Sequence, residues 1–253
     1  MPDVKLSQLA AASAASVAAG AGLWTMAGHI LGLHMEYVGP ASIRVSSGSA
    51  WIPSLQRAIE VPSALTLSGL TLAANTWYHL YLYLNGTTPT IEAVTIAPAA
   101  PYSGTARAKT GDPSRRYIGS FRSSPSAQVV AFRQAGSLVK YQDTFANSAG
   151  IVLNGGASKV PEDVSTSACV PLTSTTALMN FSSSANQNSV IGNKDCSFTL
   201  APSGGGWLFA LNPSSRLSGL IPLASDQTFN YRLADEVTSG SLLGIVIGYQ
   251  YER

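Results

Sequence analysis

The nine residues TWYHLYLYL at positions 76–84, followed by Asn85-Gly86 and then TIEAVTI at 90–96, decide the fold class. In an extended chain Trp77, His79, Tyr81 and Tyr83 point one way, and Tyr78, Leu80, Leu82 and Leu84 the other. Neither set is polar enough to face water, so the spacing predicts a strand covered on both sides. Asn-Gly tolerates the left-handed conformation of a tight two-residue turn, and TIEAVTI is its predicted hairpin partner.

Working outward, the chain repeats this grammar of short β-prone runs divided by Gly, Pro, Asn and Ser. Before the hairpin lie LHMEYV (33–38), the turn Gly39-Pro40 and ASIRV (41–45); after it come RYIGSFR (116–122) and AQVVAFR (127–133). The second half offers GIVLN (150–154), ACVPL (168–172), ALMNF (177–181), CSFTL (196–200), GWLFAL (206–211), SGLIPL (218–223), QTFNYRL (227–233) and SLLGIVIGYQY (241–251). Runs at this spacing indicate a sandwich or barrel in the first half and a jelly-roll or other sandwich in the second. The expectation is an all-β protein: an N-terminal helical or extended arm at 1–32, then two β-sandwich, jelly-roll-like domains at 33–142 and 143–253. In the last run, Leu243, Ile245, Ile247, Tyr249 and Tyr251 form the more apolar set and are expected to face the core.

Charged residues make up only 11% of the 253, with a net charge of +2, while apolar residues make up 45%. An average globular chain carries about 25% charge. A disordered polyelectrolyte and a charge-laced coiled coil are both excluded. Two cysteines, Cys169 and Cys196, are too few for a disulfide scaffold or a four-thiolate zinc site, and free thiols are expected. From Leu6 to Met35 there is no charged side chain. This stretch is mostly Ala, Ser and Gly, too poor in Leu, Ile, Val and Phe for a membrane span, and MPDVK lacks the character of a secretion signal. Leu6 and Leu9 share a face of a short predicted helix and are candidate docking residues. So uncharged a surface is expected to be covered by protein, since few charges mean little desolvation cost.

Positive charge concentrates between 101 and 140, where Arg107, Lys109, Arg115, Arg116, Arg122, Arg133 and Lys140 face Asp112 alone. The GxxxxGK[ST] spacing of a phosphate-binding loop is absent. Arg107, Lys109, Arg115 and Arg116 are therefore read as inter-subunit or docking residues that pair with acids on a neighbouring subunit; a nucleic-acid partner is not expected. The loop SSSANQN (182–188) offers adaptable hydrogen bonds through Asn186 and Asn188, and Trp207 or Tyr231 offers a ring on which a sugar stacks. The competing reading is ordinary turn chemistry and core aromatics.

Catalytic signatures are missing. There is no GxSxG elbow, no HExxH pair among His29, His34 and His79, and the adjacent acids Glu162-Asp163 and Asp235-Glu236 would point to opposite faces of a strand. His79 is expected to be a hydrogen-bonded core or interface residue. No enzymatic activity, metal or cofactor is expected.

The run from Asn75 to Phe132, NTWYHLYLYLNGTTPTIEAVTIAPAAPYSGTARAKTGDPSRRYIGSFRSSPSAQVVAF, resembles a segment recurrent in tail proteins of bacteriophages. There a WYHLYLY strand precedes APAAPYxGTAxxKTGDxSRRYIGS. The opening MPDVKLSQLAAASA is similar, more loosely, to the leader of tail-fibre and baseplate-attached proteins. The resemblance covers residues 70–135 and the first fifteen, and it is a structural-module signature. It implies a virion component, often a trimer, made in the host cytoplasm, whose N-terminal part docks on other tail or baseplate proteins. Contact with a host surface glycan or pilus is a further expectation. The alternatives are a capsid decoration or head-fibre protein and a carbohydrate-binding module. Residues 143–253 carry no such resemblance.

Overall fold

The computed structural model describes residues 26–142, 149–195, 207–235 and 237–253. The residues placed in the predicted helix of the arm, Leu6 and Leu9 among them, lie outside these, as does Cys196. The chain is all-β, as expected.

The first half builds three small antiparallel sheets from strands β1 (Ile30–Gly32), β2 (Met35–Gly39), β3 (Ser42–Val45), β4 (Gly48–Ile52), β5 (Arg57–Val61), β6 (Leu65–Leu67), β7 (Trp77–Asn85), β8 (Thr88–Val94), β9 (Ala108–Lys109) and β10 (Asp112–Arg122). Their orders are β1-β4-β5, β2-β3-β6 and β8-β7-β10-β9. Four of the seven pairings among the described residues join consecutive strands, β2 with β3, β4 with β5, β7 with β8 and β9 with β10. The predicted hairpin is present: β7 and β8 pair from His79 with Val94 to Asn85 with Thr88, around Gly86 at φ +63°. Residues 78–82 are buried on both faces. Ile30–Gly32, assigned to the arm from sequence, instead pairs with β4.

The second half comprises β11 (Phe132–Ala135), β12 (Leu138–Tyr141), β13 (Ile151–Gly156), β14 (Glu162–Ser165), β15 (Ser174–Ser183), β16 (Ser189–Gly192), β17 (Phe209–Leu211), β18 (Arg216–Pro222), β19 (Thr228–Leu233) and β20 (Leu242–Tyr251). Two sheets form, β13-β20-β15-β18 and β14-β19-β16-β17. Numbered from β13, these are the orders 1-8-3-6 and 2-7-4-5, the paired Greek keys of a jelly roll. Phe181 of one sheet meets Phe229 of the other edge-on at 5.5 Å, inside the sandwich.

The boundary expected at residue 142 is crossed by this sheet. β13 runs beside residues 242–245 of β20, and β12 takes over beside residues 248–250, carrying β11 with it. The β11–β12 hairpin thus belongs to the jelly-roll sheet, and one hydrophobic core runs through both halves.

Two readings of the second half are corrected. ACVPL is a turn and not a strand: Cys169 and Val170 both donate backbone N–H to the Thr166 carbonyl, and Pro171 has no N–H for a ladder. The strand nearby is β14, which the sequence reading missed. In β20 the buried residues are Leu242, Gly244, Val246 and Gly248, then Tyr249 and Tyr251, while Leu243, Ile245 and Ile247 are only partly covered. A β-bulge explains the change of phase. Leu178 pairs with Gly248 and Met179 with Val246, so Ile247 is an extra residue that moves all that follows to the other face.

Candidate functional site

Two internal networks account for most of the singled-out residues, and an open groove lies apart from them. The first network joins the halves. Trp77, His79 and Tyr81, on one face of β7, look toward the end of β20. Tyr249 packs edge-on against Trp77 at 5.8 Å and lies 5.9 Å from Tyr251, while Tyr117 meets Tyr81 at 6.0 Å. Each buried hydroxyl has a partner. Tyr249 donates to the Ser120 carbonyl at 2.6 Å, Tyr251 to the Ile118 carbonyl at 3.3 Å and Tyr141 to the Cys169 carbonyl at 2.7 Å. Tyr117 shares hydrogen bonds of 2.8 Å with Ser120 and Thr173. Burial raises the pKa of all four tyrosines, so they stay neutral donors. His79 lies 2.8 Å from the Ser120 hydroxyl, and burial lowers its pKa to about 4. It is a neutral core residue, as the sequence reading expected. Cys169 is a buried free thiol pushed up to about 11 by burial, so it is protonated and unreactive near neutrality.

The second network absorbs the basic segment. Glu92 on β8 lies 2.9 Å from Lys109 and 3.3 Å from Arg115, whose guanidinium also stacks 3.7 Å from the centre of the Tyr83 ring. Asp112 adds a longer contact to Arg115. Arg107 donates to the Ala99 carbonyl. Arg116 is fully buried, with one nitrogen on the Arg107 carbonyl. This corrects the docking reading: Lys109 and Arg115 take acids from their own chain, and Arg116 is sealed beneath the sheet. Adjacent basic residues on a strand face opposite ways, and here one way is inward.

The predicted ligand contacts are dispersed. Tyr231 is 1% exposed, and its hydroxyl donates to Glu162 at 2.7 Å, pinning β19 to β14; it offers no ring to a ligand. Asn186 is exposed, but its amide is spent on the facing loop: Nδ2 donates to the Thr238 hydroxyl and Oδ1 accepts from the Thr238 and Ser239 backbones. Asn188 is exposed, and its carbonyl accepts from the Ala234 N–H. Trp207 is 41% exposed just ahead of β17. Glu162 and Asp163 go to different partners, Tyr231 and Lys194, as strand alternation requires. Among the described residues no group of three His, Cys, Asp or Glu side chains suits a metal ion, and no helix is long and apolar enough to cross a membrane.

The groove was not anticipated. It lies on the outer face of the sheet β13-β20-β15-β18 and has a volume of about 460 Å³. Cross-strand register sets two rows over it, Arg216–Ser182–Leu243 and Ser218–Asn180–Ile245. The β18 side is polar and the β20 side aliphatic. Ser218 donates to the Asn180 carbonyl oxygen at 2.7 Å, leaving the amide nitrogen of Asn180 without a partner among the described residues. Arg216 is exposed and makes no hydrogen bond or ion pair among the described residues. The alternation of ALMNFSS carried a signal for this surface. The bulge at Ile247 hid the other half by disguising Leu243 and Ile245 as core.

No family model matches the chain, and no curated protein resembles it in sequence.

Proposed function

We propose that this protein is a structural component of a bacteriophage tail, assembled as a homotrimer, that docks on other tail or baseplate proteins through its N-terminal end and presents the jelly roll outward. The resemblance of residues 75–132 to tail proteins supports the reading. In the fold that stretch supplies the central sheet and stands against the jelly roll through the tyrosine network.

The observation that carries the assembly reading is the end of the charge-free stretch. Met26 is 79% exposed and Leu31, on edge strand β1, 67% exposed, where an uncovered surface would carry polar groups. Apolar side chains beside a strand edge that is unpaired among the described residues favour coverage by protein, and their uncharged surroundings make that coverage inexpensive in desolvation.

The experiment has two arms. Light scattering of the purified full chain is expected to give three times the chain mass at micromolar concentration, and a stable monomer would sink the trimer. Electron microscopy of particles labelled with an antibody to residues 207–253 is expected to decorate the tail. Label on the head would replace this reading with that of a capsid decoration protein.

A further inference from the structure

We propose that the groove across β18, β15 and β20 binds an acidic saccharide, with Arg216 holding the sugar carboxylate. The inference rests on the tail reading, in which the jelly roll faces outward, and it names the ligand class that such a face would take.

Three features converge. The first is charge: among the described residues Arg216 is the one charged residue lining the groove, it is exposed, and no acid pairs with it. A planar guanidinium with a free fork of donors matches a carboxylate in two parallel hydrogen bonds. The second is the polar row. Ser182 stands opposite Arg216, and Ser218 opposite Asn180. The Ser218–Asn180 hydrogen bond orients the amide so that its nitrogen is a donor left over for a ligand oxygen. Short hydroxyl and amide groups at strand spacing suit the closely set hydroxyls of a pyranose.

The third is the aliphatic side. Leu243 and Ile245 line the groove from β20 and stand outside the hydrophobic core cluster. One face of a sugar ring is a row of C–H groups, and flat aliphatic side chains cover it without leaving polar atoms unpaired. A free cation, oriented amide and hydroxyls and an aliphatic wall together fit an anionic sugar. They fit a neutral sugar poorly, because it leaves the guanidinium unmatched, and a purely apolar ligand poorly, because it buries the amide. The volume of about 460 Å³ falls within the range of small-molecule sites and accommodates one or two sugar rings.

The test passes the full chain over beads bearing digalacturonate, digalactose or galactose 6-phosphate, the multivalent surface compensating for weak single sites. Selective retention on digalacturonate is expected, reduced at least tenfold by Arg216→Ala and partly restored by Arg216→Lys, which keeps the charge but not the fork. Asn180→Ala is expected to reduce retention about fivefold. Circular dichroism of each variant is expected to match the parent, since the replaced side chains lie on the outer face. Equal retention on digalactose, retention on the phosphate sugar alone, indifference to Arg216→Ala, or no retention on any bead would each overturn the proposal. Tail labelling by the antibody is independent of this result, so a groove that ignores digalacturonate on a chain that still decorates tails removes the ligand and leaves the tail reading intact.

Discussion

The two halves of this molecule use the same strands in opposite ways. In the first, most pairings join neighbours in sequence, β2 with β3, β4 with β5, β7 with β8, and the longest reach is β7 to β10. In the jelly roll, β13 finds β20, β14 finds β19 and β15 finds both β18 and β20. Local pairing is set by a turn and costs little loop-closure entropy, whereas long-range pairing depends on a core that exists only when the whole sandwich does. The two plans meet in the tyrosine network, where ring burial and hydroxyl hydrogen bonds tie β7 and β10 to the end of β20.

Breaking that junction has the largest expected effect. Tyr249→Ala removes a ring 1% exposed that touches Trp77, Tyr141 and Tyr251, and is expected to cost about 3–5 kcal/mol. Guanidinium unfolding of the parent is expected to show one transition and the variant two, as the halves uncouple. One unshifted transition in the variant would show that the halves do not depend on this seam.

The second test is acid. His79 has a folded pKa of about 4 against 6.5 in the free side chain, so between these values the unfolded chain binds more protons. Its contribution is fully present above pH 6.5 and is lost as pH falls toward 4, up to about 3 kcal/mol. Stability measured across this window is expected to fall more steeply in the parent than in His79→Gln. Identical slopes would mean the imidazole is not neutral in the folded core.

Glycine separates the two plans at a smaller scale. A Cβ on Gly248 would lie 2.4 Å from the Val139 carbonyl oxygen, so Gly248→Ala is expected to pry β12 from β20 at about 1–3 kcal/mol. Gly86→Ala meets no atom within 4 Å and bears only the left-handed backbone, an expected cost of about 1–2 kcal/mol confined to its hairpin. Hydrogen exchange would distinguish the two: protection is expected to drop in both halves for the first and around β7–β8 alone for the second. The smallest effect belongs to Glu92→Gln. It loosens Lys109 and Arg115, both partly exposed, and is expected to cost about 1 kcal/mol or less, shrinking further in high salt.

These contrasts also explain what was legible in the residues. WYHLYLYL with Asn85-Gly86 was sufficient for β7, its turn and its burial on both faces, because alternation and turn chemistry act within a few residues. The same logic failed at ACVPL, where apolar residues plug a turn against Trp77 and Tyr141, whose side chains bond the Ser167 and Cys169 carbonyls. It failed again for the basic segment, since the partner of Lys109 and Arg115 is Glu92, seventeen or more positions earlier across a sheet.

By itself the sequence determined that the chain is β throughout, where its tightest hairpin turns, and that most of its surface carries little charge, because each follows from residue type and near-neighbour spacing. Tertiary structure alone decided which faces are inside. A single extra residue at Ile247 turns Leu243 and Ile245 outward and Tyr249 and Tyr251 inward, and so makes both the groove and the seam. Side-chain direction in a sheet has a period of two, so one inserted residue reverses everything beyond it, and only the partner strand reveals where the insertion lies.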